Sequence, residues 1–290
     1  MAGSKVTGIK ENKLAESGTV KTVKGIISAV LICYTFITLF LIGNTVLSSF
    51  KSRQELINNT IGFPKKFILE NYRTLLFEQN FLRYFGNSLL LVFTSLLLLL
   101  AVSTMVAYGL SRFEFKGRAA LQGYFLIGLM FPIQLGILPL FIMLTRVHLN
   151  NNILGLALLY AANMSFPVFV FSKFFRGIPV SLGESARIDG AKEFKVFLKI
   201  IIPMSRPVLF TMGLINFVLI WNDFYMPLVF LTKASVRTLT LAVYSFMANF
   251  LANWHLVFAA VVVALLPVII IFFRFSDQIV AGLAGGAVKE

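Results

Sequence analysis

The sequence predicts an all-α, polytopic membrane protein with six transmembrane helices, and three observations lead to that prediction. Apolar residues make up 58% of the 290 residues and charged residues only 13%, which is far from the balance of a water-soluble domain. Uncharged stretches recur along the chain, and most of them are long enough to cross a bilayer as a helix. Lys and Arg residues collect on one side of the implied membrane.

The uncharged stretches set the positions of the six predicted spans. They are residues 25–50, 84–111, 119–145, 147–172, 207–222 and 238–273. All but 207–222 exceed the roughly 20 residues that a spanning helix needs, and 207–222 becomes long enough once Asp223 is included. Within the last stretch we expect 238–254 to form a loop or re-entrant segment and 256–273 to form the span.

The distribution of basic residues predicts that both termini are cytoplasmic. One short loop carries Arg112, Lys116 and Arg118, whereas the next loop has Arg146 alone. The predicted organisation is then a basic cytoplasmic tail (1–24), a first span (25–48), an extracytoplasmic loop (49–83), a core of five spans (84–275) that includes a hairpin at 178–203, and a cytoplasmic tail (276–290). The net charge of +14 follows from this bias, and nucleic-acid binding is disfavoured because basic residues occupy both sides of the membrane.

Several spans are interrupted by proline and polar residues, which is typical of a lined pathway. The interruptions lie around Pro132 in the third span, Pro167 in the fourth and Pro227 in the fifth. The residues that we place along a translocation pathway are Gln134, Asn163, Trp221, Asn222, Asp223 and Tyr225. Trp and Tyr near the end of a span are also typical of the interfacial aromatic belt, so both interpretations stay open.

Asp223 is the only acidic residue inside a predicted span, and a carboxylate there must face the bundle interior or a wet cavity. Three roles are open. Asn222 and Asp223 lock helices together or cap a helix end, Asp223 contacts the solute, or it takes part in proton coupling. The last is disfavoured because no second acidic residue or His lies in a neighbouring span.

The sequence predicts that the hairpin at 178–203 consists of two short helices within residues 181–203. Ser181 followed by Glu184 has the spacing of a capping box, which predicts a helix start at Leu182. Gly190 should end this helix in a left-handed or tightly packed turn that a side chain would obstruct, and Pro203 should end the second helix. The apolar spacing of the second helix predicts a buried face of Phe194, Phe197, Leu198 and Ile201. An amphipathic element lying on the membrane surface fits the same pattern.

The amino-acid sequence of the hairpin resembles the signature motif of a known family. Glu184-Ser185-Ala186-x3-Gly190-x9-Ile200-x-Ile202-Pro203 is similar to the E-A-A-x3-G-x9-I-x-L-P motif of importer permeases driven by ATP-binding cassette subunits, with Ser185 and Ile202 as mild departures. Arg187-Ile188-Asp189-Gly190-Ala191 has the form common in the carbohydrate-uptake (maltose-type) branch. Further agreements are Phe85-Gly86-Asn87-Ser88, Ala107-Tyr108-x2-Ser111-Arg112, Trp221-Asn222-Asp223-Phe224 and Gly282-Leu283-x2-Gly285-Gly286-Ala287-Val288-Lys289. Together they span 85–290 and resemble the smaller permease subunit of such systems.

The resemblance implies a type I ABC importer permease fold in a bacterial or archaeal cytoplasmic membrane, and a set of partners. These are a second permease that completes a heterodimer, two ATP-binding cassette subunits and an extracytoplasmic solute-binding protein, beside membrane lipid. The residues expected to couple to the ATPase are Glu184, Ser185, Ala186, Arg187, Asp189, Gly190, Ala191 and Pro203. Gly285, Gly286 and Lys289 in the tail are expected to reach the ATPase as well.

The chain itself is expected to be no enzyme and to bind no cofactor, with ATP and Mg²⁺ held by the partner ATPase. No phosphate-cradling G-x4-G-K-[ST] loop is present, and neither His148 nor His255 has a second ligand at metal-binding spacing. By resemblance the cargo is a carbohydrate, and an oligosaccharide is the expected kind. A glycerol phosphodiester or another polyol-like solute is the alternative cargo, and an ion-coupled secondary transporter is the alternative mechanism.

Overall fold

Helices account for the architecture, and no strand occurs among the residues described. The computed structural model describes residues 18–247 and 250–287, with side chains at 23–247 and 253–275. The helices are α1 Gly18–Ser48, α2 Arg53–Asn58, α3 Glu70–Arg73, α4 Phe81–Arg112, α5 Arg118–Gly128, α6 Ile137–Arg146, α7 Ile153–Ala162, α8 Ser165–Arg176, α9 Val180–Ile188, α10 Glu193–Val196, α11 Ile202–Met204, α12 Arg206–Asn222, α13 Tyr225–Phe230, α14 Leu239–Met247 and α15 Phe250–Ala287. Short 3₁₀ helices lie at Ile133–Gly136 and Ala234–Val236, and π turns at Thr74–Glu78 and Phe197–Ile201.

Three described helices are long and apolar enough to cross a bilayer, and counting each of three bent pairs as one span raises that number to six. The long ones are Val23–Ser48, Phe81–Arg112 and Asn253–Phe275. The third predicted span bends by 94° between α5 and the Ile133–Arg146 segment, and the fourth bends by 49° between α7 and α8. The bends fall at or beside Pro132 and Pro167, because a proline removes a hydrogen-bond donor and clashes with the preceding turn.

The core lies around α4, which packs against α7, α8, α12 and α14. The apolar window of α1, by contrast, contains no buried residue, and α1 meets the rest of the described chain mainly through α15. One buried cluster lies at the end of the bundle where α4 begins and includes Phe81, Trp221 and Phe230. A smaller one at the opposite end includes Tyr108, Phe175 and Phe197. The two ends of α4 therefore carry separate cores.

For the segment before the last span, the loop alternative is wrong and the re-entrant alternative stays open. The segment 238–254 is helical where it is described, forming α14 and the start of α15, and is not an open loop. The reason is its packing: Leu239, Leu241 and Ala242 are buried against α15 and α4. The helix α15 is kinked at Phe275, whose φ of −130° and ψ of 15° are not helical, so that the segment from 276 onward forms a separate piece.

Candidate functional site

The first helix of the hairpin is α9, which starts two residues earlier than the capping box predicts. Pro179 is its N-cap and no side chain caps it, so the prediction that Ser181 is the N-cap is wrong. The physical reason lies in Pro179, whose extended backbone (φ −54°, ψ 131°) already turns the chain into the helix. Ser181 is consequently part of the first turn.

The turn after α9 is a Schellman motif that depends on Gly190. The N–H of Ala191 donates to the carbonyl of Ala186 over 2.9 Å, and the N–H of Gly190 donates to the carbonyl of Arg187 over 3.0 Å. Gly190 has a φ of +80°, and a Cβ built there would meet no atom within 4 Å. The glycine is therefore required by its left-handed backbone and not by lack of space, which decides between the two reasons that the sequence left open.

The second helix buries Phe197 and Ile201 as predicted, but not Phe194 and Leu198. Val196, Phe197 and Ile201 are buried, whereas Phe194 and Leu198 are 61% and 46% exposed. The cause is the π turn at Phe197–Ile201, which widens the helix just before Pro203 because that proline has no N–H to donate. The helix runs on to Met204 and bends by 76° at Ser205, so the break follows Pro203 by two residues.

A polar cluster joins both hairpin helices to the end of α4. Arg187 donates from Nε to the Oε1 of Glu193 and from Nη2 to its Oε2 over 3.3 Å. The hydroxyl of Tyr108 donates to the same Oε2 over 2.9 Å. The hydrogen bond from Arg187 holds the pKa of the Glu193 carboxyl below its ordinary value. Glu193 thus connects α9, α10 and α4, and sequence reasoning missed it. The signal available in the sequence was the opposite charges of Arg187 and Glu193 on either side of the turn at Gly190.

Arg112 attaches the base of the hairpin to the same helix end. Its Nη2 donates to the carbonyl of Phe175 in the last turn of α8 over 2.7 Å and to that of Ile178 in the link to α9 over 2.8 Å. Tyr108 and Arg112 are i and i+4 on α4, so both project from one helix face. A cavity of about 290 Å³ remains between this face and the hairpin, lined among others by Gly183 and Val196.

The tip of the hairpin is exposed and free of partners in the described chain. Glu184, Ser185 and Asp189 are exposed, and no hydrogen bond or ion pair of the Glu184 or Asp189 carboxylates occurs within the residues described. Ile188 is 86% exposed, an apolar side chain at the end of a polar helix. The remaining predicted coupling residues (Ala186, Ala191 and Pro203) are half-buried beneath this tip.

The predicted pathway residues separate into two groups. Gln134, Asn163, Asn222 and Tyr225 are exposed, and each lies at or next to a break in a span. Trp221 is only 2% exposed, stacks on Phe217 and donates its Nε1–H to the carbonyl of Ala264 over 3.1 Å. The prediction that Trp221 lines the pathway is therefore wrong, because its ring fills the core between α12 and α15.

Asp223 locks helices together and caps one of them, which is the first of its three possible roles. It accepts the hydroxyl proton of Tyr160 on α7 over 2.7 Å and the backbone N–H of Tyr225 over 2.8 Å. A longer bond from the N–H of Met226 completes the cap of α13. The backbone carbonyl of Asp223 also accepts a bond from Thr240.

The predicted site also includes residues of the C-terminal tail, and the structure describes only some of them. Gly285 and Gly286 lie in the last turns of α15, beyond the kink at Phe275, whereas Lys289 lies outside the described residues. Within the described ranges, no three His, Cys, Asp or Glu side chains come close enough to hold a metal ion.

Comparisons with known proteins match this arrangement. The profile of the family "Binding-protein-dependent transport system inner membrane component" matches residues 100–284. The "Probable starch degradation products transport system permease protein AmyC" of Thermoanaerobacterium thermosulfurigenes is 32% identical over 84% of this chain and 89% of its own length. The "Diacetylchitobiose uptake system permease protein NgcG" of Streptomyces coelicolor is 33% identical over 90% of this chain and 87% of its own.

A solved structure shares the fold. One chain of a bacterial ABC transporter involved in the import of the acidic polysaccharide alginate superposes with a TM-score of 0.79 at 22% identity, covering 89% of this chain and 96% of the other. The fold is thus that of an ABC importer permease. The profile match and the two relatives cover most of the chain and include the hairpin. The chain belongs to the binding-protein-dependent transport system inner membrane components, which are multi-pass permease subunits and not enzymes.

Proposed function

We propose that this chain is one of two permeases in a carbohydrate importer, with two ATP-binding cassette subunits beneath the pair and a solute-binding protein on the opposite side. Relatives named for starch degradation products, diacetylchitobiose and arabinooligosaccharides support an oligosaccharide as cargo. The hairpin side of the membrane is the cytoplasm in this proposal, so both termini are cytoplasmic. ATP and Mg²⁺ bind to the ATPase partners and not to this chain.

The observation that supports this function best is the contrast between the tip and the base of the hairpin. Its base is tied to α4 and α8 through Glu193 and Arg112. Its tip offers Ile188 and the carboxylates of Glu184 and Asp189 with no partner in the described chain. A cleft on the ATPase would cover the apolar side chain and donate to the carboxylates. Movement of that cleft would then be transmitted through the tied base to the spans.

The translocation pathway in this proposal follows the exposed breaks in the spans. Polar side chains there come from Gln134, Asn163, Asn222 and Tyr225. Asp223 stabilises the break between α12 and α13 by accepting the backbone N–H of Tyr225. The tail residues Gly285, Gly286 and Lys289 contact the ATPase. A secondary transporter is disfavoured, because the carboxylate of Asp223 already accepts hydrogen bonds from Tyr160 and two backbone N–H groups.

The composition of the purified complex tests the proposed function. The tagged full-length chain is extracted from its native membrane in a mild detergent, and the co-purifying proteins are identified by mass spectrometry. We expect a second permease in equal amount and an ATP-binding cassette protein in twofold excess. A chain that purifies alone, and still carries solute in proteoliposomes driven only by an ion gradient, would refute the proposal.

The cargo is tested separately with the co-purifying binding protein. Isothermal titration calorimetry against oligosaccharides of glucose, galactose, arabinose and N-acetylglucosamine should find one that binds. Binding of glycerol phosphodiesters with no binding of any sugar would replace the carbohydrate by the alternative cargo while leaving the ATPase partnership intact.

A further inference from the structure

A second cavity, about 390 Å³ in volume, opens between α5 and α8 on the hairpin side of the membrane. On α5 it is lined by Phe125 and Leu126, and on α8 by Val168 and Phe169. The wall that these four side chains form is apolar. The stretch of α8 that lines it runs from Val168 to Arg176, which is about 12 Å along the helix axis. The cavity therefore extends from the membrane surface into the hydrocarbon region.

The surface end of the cavity is basic. Lys173 and Arg176 line it, both are exposed, and neither has a hydrogen bond or ion pair among the described residues. No acidic side chain lines the cavity. Two unpaired cations above an apolar groove are complementary to a molecule with an anionic head and an apolar tail.

A buried hydroxyl group lies between the basic and the apolar parts. Ser172 is 8% exposed, lines the cavity, and its Oγ has no hydrogen-bond partner in the described structure. A serine inside a helix usually donates to the carbonyl four residues earlier, and other hydroxyls of this chain, such as that of Ser95, do so. A buried polar atom without a partner is costly, which indicates that an acceptor from outside the chain completes it.

We propose that this cavity is a binding site for one anionic phospholipid. One acyl chain lies along Leu126 and Phe169, a glycerol ester or phosphate oxygen accepts the hydroxyl proton of Ser172, and Lys173 and Arg176 bind the phosphate. The neighbouring amide of Gln122 is already engaged by the carbonyl of Leu110, so it positions α5 against the end of α4 and leaves the lipid to the cations. A lipid in this place would stabilise the packing of α5 on α8 next to the hairpin.

Native mass spectrometry of the delipidated full-length chain tests the site. The probes are phosphatidylglycerol and phosphatidylcholine with identical acyl chains. We expect tighter binding of phosphatidylglycerol, and a loss of that preference by about 25-fold in the double variant K173Q/R176Q, roughly fivefold for each charge. The matched control K116Q/K199Q removes two charges on the same side of the membrane but outside the cavity, and should keep most of the preference.

Two additional measurements separate the possible occupants. Leu126→Trp fills the groove without changing charge, and we expect it to weaken both lipids. Inorganic phosphate, added in excess, should fail to displace phosphatidylglycerol, because the apolar tail contributes to binding. An equal preference for phosphatidylglycerol in K173Q/R176Q and in the control would overturn the site. Displacement of the lipid by phosphate alone would reduce it to an anion site. A Phe169→Cys variant that cross-links to another protein and binds no lipid would show that a subunit covers the cavity.

Discussion

The two ends of the transmembrane bundle are held together in different ways. At the end remote from the hairpin, side chains of α4 and of the loop before α7 bind the segment that joins the fifth and sixth spans. Asn87 donates to the carbonyls of Ser235 and Arg237, and the hydroxyl of Ser88 accepts the N–H of Leu239. Asn151 accepts from Thr232 and Lys233. These bonds join residues that are far apart in sequence.

At the hairpin end a comparable number of hydrogen bonds joins the elements, and two of them belong to an exposed ion pair. Glu193 and Arg187 keep 40% and 38% of their side chains exposed, and the buried cluster beneath them is the smaller of the two. An ion pair at that exposure contributes little to stability and is readily broken. The comparison indicates that the larger buried cluster at the remote end contributes more to the stability of the fold, whereas the exposed ion pair at the hairpin end can break at little cost.

Removal of the carboxylate at the remote end should have the largest effect on stability. Asp223→Ala leaves the Tyr160 hydroxyl and the N–H of Tyr225 without their acceptor, which we expect to cost about 2–3 kcal/mol of unfolding free energy. Thermal unfolding in detergent measures the change. Asn222→Ala is the matched control, since that amide bonds only within its own helix, and a loss as large in the control would contradict the role of Asp223.

Strain at the hairpin turn should abolish coupling while sparing the fold. Gly190→Val places a β-branched residue at a φ of +80°, which costs at least about 1–2 kcal/mol in the turn. We expect transport by the complete complex in proteoliposomes to fall about tenfold or more, with an unfolding midpoint that falls less than in Asp223→Ala. Gly190→Asn, which tolerates this φ, should retain most activity. Similar losses in both variants would show that the side chain, and not the backbone, is excluded there.

A smaller effect is expected when one bond of the hairpin base is removed. Tyr108→Phe deletes the hydrogen bond to Glu193, worth about 1 kcal/mol, so the amides of α9 should exchange their hydrogens roughly fivefold faster. Mass spectrometry of exchanged peptides measures this. Tyr124→Phe, an exposed tyrosine of α5 with no described hydrogen bond, is the control. Equal exchange in the two variants would mean that the cluster does not hold the hairpin.

Acid should loosen the hairpin by the least amount. The pKa of Glu193 is lower in the folded chain than its ordinary value, so its contribution to stability is complete above that ordinary value and is lost as the pH falls through the folded pKa. Hydrogen exchange of α9 should therefore accelerate at acidic pH relative to α4. Glu193→Gln should remove this pH dependence, and an unchanged pH profile in that variant would assign the effect to another group.

Prediction from the sequence worked where the determinant is local. The spans follow from uncharged stretches, and the left-handed turn follows from Gly190 alone, because only backbone geometry decides it. It failed where distant parts meet. The burial of Trp221 depends on the carbonyl of Ala264, and the role of Glu193 depends on Tyr108, 85 residues earlier. No pattern within a single helix reports such a pair.

The sequence by itself determined that this is a helical membrane protein with a hairpin that turns at Gly190, since composition, charge bias and turn chemistry act within short segments. The permease family followed from the resemblance of its motifs. Only the tertiary structure decided which residues fill the core and which stay exposed at the breaks. It also decided which face of the second hairpin helix is buried, because the π turn before Pro203 shifts the helix register by an amount that regular apolar spacing does not contain. Burial depends on what packs against a residue, and the packing partners come from distant parts of the chain.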